Sequence, residues 1–79
     1  MKTENRLKEI FSDVFKLNID EIRPETSPNN CSTWDSFNMI KLIVVIEEEF
    51  DISISIEEVV QYSNYSDVLD SVQKILKNN

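Results

Sequence analysis

Neither glycine nor histidine occurs in these 79 residues. Without histidine, a Ser-His-Asp or Cys-His relay cannot be assembled. Without glycine there is no glycine-rich phosphate loop, and the EF-hand calcium loop fails for the same reason. The single cysteine, Cys31, excludes an intramolecular disulfide and the paired-cysteine zinc spacings. No Lys, Arg or His adjoins it to stabilise a thiolate, so packing is its expected role. Basic residues are scarce too: 8 Lys and Arg stand against 15 Asp and Glu, a formal charge of -7. Phosphate backbones are gripped by cations, so nucleic acid is not an expected partner. Attraction to a basic patch on another protein suits this balance, although such charge also serves simply to keep a small domain soluble. No apolar run approaches the roughly 20 residues that span a bilayer. The opening Met1-Lys2-Thr3-Glu4-Asn5-Arg6 leads into no secretory apolar core. These features predict one small domain over residues 1–79, soluble, cytoplasmic and monomeric, with no membrane segment and no room for a buried catalytic cleft.

The apolar pattern is helical. Leu7, Ile10, Phe11 and Val14 recur at helical spacing after Thr3, a suitable N-cap, and Leu17 continues the stripe. Phe15 stands off that stripe and is expected to fold onto the following loop. Asn18 is the expected left-handed stop. From Ile19 to Thr33 Pro24 and Pro28 forbid a continuous helix, and Asn29-Asn30 suggests a turn. A connection this long should be anchored, and Ile19 and Ile22 are the candidates, with a helical turn at Asp20-Glu21-Ile22. After Phe50, the alternation Ile52-Ser53-Ile54-Ser55-Ile56 has a strand period but no partner strand, so it reads as an extended connection. Ser55 and Glu58 have capping-box spacing for a short helix over about 56–61, with Val59 and Val60 facing inward. Asn64 or Ser66 caps a last helix whose apolar positions are Val68, Leu69, Val72, Ile75 and Leu76. Lys74 and Lys77 complement its C-terminal dipole. With no glycine, Asn and Ser are left to serve the turns. The expected architecture is all-α: three longer helices and one short one in a small bundle, with a long loop between the first two.

The stretch 34–51, Trp-Asp-Ser-Phe-Asn-Met-Ile-Lys-Leu-Ile-Val-Val-Ile-Glu-Glu-Glu-Phe-Asp, organises the rest. Asp35 and Ser36 are both good N-caps, because a short side-chain oxygen accepts from the unpaired amides of the first turn. Met39, Leu42, Ile43, Ile46 and Phe50 then fall on one side of a helix as a core stripe. Phe37, Ile40 and Val44 fall together on the other side, flanked by Lys41, Glu47 and Glu48. An apolar strip rimmed by charge, in a chain with few other elements to cover it, predicts a partner-binding face. The acidic run Glu47-Glu48-Glu49 with Asp51 offers weak cation ligands. Such a run is more often a solvated face, and no metal site is expected.

Asp35-Ser36-Phe37, followed by an apolar helix that ends Ile46-Glu47-Glu48-Glu49-Phe50-Asp51, resembles the acyl carrier protein family, with its Asp-Ser-Leu and helix ending in Glu-Glu-x-Phe. The resemblance runs through nearly the whole chain: a leading helix, a long loop, the serine helix, a short helix and a final helix. It implies that Ser36, beside Asp35, carries 4′-phosphopantetheine, whose thiol holds a cargo as a thioester. It also implies a separate phosphopantetheinyl transferase and acyl-transferring or acyl-activating enzymes with basic docking patches. The chain itself would be non-catalytic, since Asp35 as an ordinary carboxylate is a poor base for a serine nucleophile. Phe37 stands where Leu is usual, Lys41 brings a positive charge to a commonly acidic face, and Trp34 stands where fatty-acid carriers often have Gly. Trp-Asp-Ser looks more like a stand-alone carrier of a specialised pathway. Two alternatives remain open. One is an aminoacyl or peptidyl carrier of nonribosomal-type synthesis. The other is an unmodified helical interaction module in which Ser36 is only a helix cap.

Overall fold

A computed structural model describes residues 2–78. Four α-helices, α1 (Lys2–Phe15), α2 (Ser36–Phe50), α3 (Ile56–Val59) and α4 (Tyr65–Asn78), are joined by irregular chain, with one 3-10 turn at Ile19–Glu21. No strand occurs among the described residues. The core forms where the apolar stripes meet. Leu7, Ile10, Phe11 and Phe15 of α1, Leu42 and Ile46 of α2, and Val68 and Val72 of α4 are all buried. Met39, Ile43, Phe50, Leu69, Ile75 and Leu76 pack against them, half-buried.

The helix ends differ from expectation in instructive ways. Helix α1 already includes Lys2, so Thr3 lies in its first turn instead of preceding it. The left-handed stop is Lys16, at φ 58°, and Asn18 is extended and leads into the 3-10 turn. Phe15 must stay in the core, so the chain has to turn immediately after it. The Leu17 amide reaches back to the Ser12 carbonyl, at 3.2 Å, in a Schellman-type closure around Lys16. The second left-handed residue is Asp51, at φ 55°, which ends α2 as its amide returns to the Glu47 carbonyl. Lys and Asp therefore take the two positions that glycine would ordinarily fill.

The long connection is held by backbone as much as by side chains. Ile22 is buried, but Ile19 is 45% exposed and anchors nothing. The orphan amides that open α4 do the rest: Tyr65 donates to the Thr26 carbonyl (2.8 Å) and Ser66 to the Pro24 carbonyl (3.1 Å). Loop carbonyls and helix-terminal amides thus satisfy one another. Thr26, also buried, accepts from the Arg23 amide through its hydroxyl, and Asn30 ties the next turn by bonding Ser27 and Glu25.

Ile52 and Ile54 are buried and Ser55 is exposed, so the 52–55 segment is an extended connection with its apolar residues inward. Helix α3 is shorter than the spacing implied and ends at Val59; Val59 packs inward while Val60 is exposed. The expected capping box is half made. Ser55 accepts from the Glu58 amide, but the Glu58 carboxylate accepts from Ser71 of α4 instead of turning back. At the start of α4, Asn64 accepts from the Asp67 amide at 2.8 Å, as a cap should.

Candidate functional site

The site is built at the junction that leads into α2. Trp34 is buried and its ring stacks on Phe15, with centroids 5.2 Å apart at an interplanar angle of 16°. Phe11 meets Trp34, Phe15 and Tyr65 edge-on at 5.6, 5.4 and 4.8 Å. Such edge and offset contacts add to the area buried, because the positive ring edge faces a negative face. Thr33 donates through its hydroxyl to the Phe15 carbonyl (2.6 Å), and the Asn38 side chain donates to the Thr33 carbonyl (2.9 Å). Cys31 packs here too, buried, with its sulfur 3.3 Å from the Thr33 hydroxyl. The end of α1, the end of the loop and the first turn of α2 are therefore locked together.

Beyond Trp34 the chain surfaces. Asp35 is extended and accepts from the Asn38 amide at 2.8 Å, which makes it the N-cap of α2. Ser36 is the first helical residue and is exposed. The cap is thus made by Asp35 alone, and the Ser36 hydroxyl has no hydrogen-bond partner among the described residues. The first intrahelical bond runs from the Met39 amide to the Asp35 carbonyl (2.9 Å). This leaves the amides of Ser36 and Phe37 unpaired among the described residues, at the positive end of the helix dipole. A nucleophilic oxygen and two free donors stand together at one exposed helix start.

Next to it lies the apolar strip. Phe37, Ile40 and Val44 are 71%, 65% and 48% exposed. Val45 is exposed beside them and was not part of the expected strip. Ile56, which opens α3, and Val60, just past its end, are also exposed, although Val60 was expected to face inward. The Lys41 ammonium sits over the Phe37 ring, 5.4 Å from its centroid.

The acidic rim is not uniform. Glu48 is exposed. Glu47 is half-buried, and its carboxylate accepts from the Ile54 amide at 2.8 Å. One of the expected docking charges is therefore tied to the connection between α2 and α3. Glu49 pairs with Arg6 of α1 at 2.7 Å, and Arg6 also holds Glu9 at 2.9 Å. The hydrogen bond from Arg6 lowers the Glu49 carboxyl below the usual glutamate range, and the Arg6 guanidinium is raised in return. Among the described residues, no three His, Cys, Asp or Glu side chains gather into a metal-binding group.

A family model described as the phosphopantetheine attachment site matches residues 5–72. Among solved structures, the chain is similar to holo acyl carrier protein from Geobacter metallireducens, determined in solution by NMR. The two are 33% identical with a TM-score of 0.86, over 99% of this chain and 90% of that one. The all-helical fold is thus of the acyl carrier type. No helix among the described residues is long and apolar enough to cross a membrane.

Proposed function

The chain belongs to the phosphopantetheine attachment-site family, whose cofactor is covalently bound 4′-phosphopantetheine, and from that premise we propose that Ser36 is the attachment residue of an acyl carrier. The observation that carries this reading is the division of labour at the head of α2: Asp35 makes the cap and leaves the Ser36 hydroxyl exposed and unengaged. A serine serving as cap would instead hold its oxygen against a backbone amide.

The residues present fit the group. A phosphodiester on the Ser36 oxygen would lie at a helix start with two unpaired amides, where backbone donors and dipole favour an anion. The Asp35 carboxylate caps the helix by accepting from the Asn38 amide, and a carboxylate is a poor base for a serine hydroxyl, so the base that accepts the serine proton would come from the transferase. That enzyme would join Ser36 Oγ to the phosphopantetheine phosphorus as the pyrophosphate bond of coenzyme A breaks and adenosine 3′,5′-bisphosphate leaves. When bound, the group supplies a terminal thiol that holds the cargo as a thioester.

This chain contributes address and local concentration, since tethering confines cargo to the neighbourhood of whichever enzyme has docked. Carriers of this type are not themselves catalytic. The docked enzyme would bury Phe37, Ile40 and Val44 and read Glu48 by charge, with fast exchange so that the carrier can move on. The acidic balance and the likeness to an acyl carrier protein favour an acyl cargo, in a specialised pathway as Trp34 suggests. An aminoacyl cargo would use the same Ser36 chemistry with an adenylating partner.

The test is an intact mass after incubation with coenzyme A and a broad-specificity phosphopantetheinyl transferase. Wild type should gain one phosphopantetheine and a folded Ser36→Ala variant none. No gain by either protein would leave α2 as an unmodified interaction helix, and an equal gain by both would move the attachment away from Ser36.

A further inference from the structure

We propose that Lys41 is the residue that selects among docking enzymes, and that the cognate partner presents a carboxylate opposite Lys41 and a cation opposite Glu48. The inference rests on α2 being the docking helix. It departs from a uniformly basic partner because the carboxylates of the Glu47–Glu49 run are not equally available. Glu47 is held by the Ile54 amide and Glu49 by Arg6. Lys41 forms no ion pair among the described residues, and neither does Glu48. On the outward side of α2, Lys41 and Glu48 are therefore the exposed charged side chains with no ion pair among the described residues, while Glu47 keeps its charge but is held in place.

They are read separately. Seven residues of helix separate them by about 10 Å along the axis, more than the screening length of about 8 Å at physiological ionic strength. Helical side chains lean toward the N-terminus, and Lys41 does so, with its ammonium over the Phe37 ring. The positive charge thus lies at the Ser36 end of the strip and the negative charge at the far end. A partner that buries Phe37 and Ile40 must also remove water from Lys41. The ring face compensates an ammonium only in part. Without a counter-ion, the desolvated charge penalises the complex, and a cation at that place makes the penalty larger. An enzyme with a carboxylate there docks, and one with an all-basic groove is discouraged.

The test uses loading kinetics. A phosphopantetheinyl transferase with a basic docking groove is compared with its own variant, in which the basic residue facing the first turns of α2 is reversed to Glu. At low salt, Lys41→Glu should raise kcat/KM with the unmodified transferase by about threefold to tenfold, with Lys41→Gln between it and wild type. Wild type should in turn gain with the reversed transferase, and Glu48→Lys should lose with the unmodified one. The differences should shrink at high salt. Circular dichroism melts establish that the variants are folded. Loading that is equal for wild type, Lys41→Gln and Lys41→Glu with both transferases overturns this inference and leaves the Ser36 reading intact. No loading of wild type in any pairing overturns the Ser36 reading, and this inference with it.

Discussion

Replacing Trp34 by alanine should remove a large share of the stability of this chain and disturb the geometry at Ser36. The side chain is 7% exposed and packs on Phe15 and Phe11. Burying about 200 Å² of indole at ~25 cal/mol per Å² is worth roughly 5 kcal/mol. Allowing for area already buried in the denatured chain lowers this to about 3–4 kcal/mol, within the range found for buried Trp-to-Ala changes. Chains of this length have a total stability of about 4–12 kcal/mol. The variant should therefore be partly unfolded at room temperature or melt far below wild type. Trp34→Phe keeps an aromatic face for Phe15 and should lose less than half as much. Urea titration followed by circular dichroism at the helix band measures both without needing the lost tryptophan. A loss under about 1 kcal/mol for Trp34→Ala would refute the claim that this ring joins the end of α1 to the serine helix. So would a loss as large for Trp34→Phe as for Trp34→Ala.

Further outcomes follow from individual contacts. Asp35→Ala should destabilise by about 1 kcal/mol in the same titration, with Asp35→Asn close to wild type, because only the cap to the Asn38 amide is lost. Glu47→Ala should lose about 1–2 kcal/mol by leaving the Ile54 amide without its acceptor, while Glu47→Gln retains most of that bond. In loading assays Glu48→Gln should therefore change the salt dependence more than Glu47→Gln does. The Glu49 carboxyl titrates below its ordinary value because Arg6 bonds it, so its contribution is present above the unfolded glutamate range. That contribution is lost as pH falls through the lowered value. Glu49→Gln should flatten this part of the acid-stability curve, most clearly at low salt, since the pair is exposed.

Helical periodicity was enough to place α1, α2 and α4 and most of their core residues, because the repeat of apolar residues is a local property of the chain. Phe15, which stood off the α1 stripe, is nonetheless fully buried, and Val14 on the stripe is only partly so. It also separated Phe37, Ile40 and Val44 from Leu42 and Ile46, and the structure leaves the first three exposed and buries the other two. The head of α2 was legible down to its two cap candidates, but periodicity could not decide which residue makes the cap. Asp35 takes it, and that choice leaves Ser36 free.

Local pattern alone thus accounts for the three longer helices, most of the faces they bury and the family signature around Asp35-Ser36. Tertiary structure decided the pairings between distant segments. Lys16 became the left-handed stop in place of Asn18 because Phe15 had to remain under Trp34. Tyr65, absent from the expected core, is buried because Phe11 offers it an aromatic edge contact across the bundle. Ile19 and Val60 face solvent although their types suggested otherwise. Glu47, Glu49 and Glu58 look alike as exposed acids, yet each finds a different donor: the Ile54 amide, Arg6 and Ser71. The physical reason is the same throughout. Spacing along a helix fixes direction, but which donor meets which carboxylate depends on how separate segments are brought together in the fold.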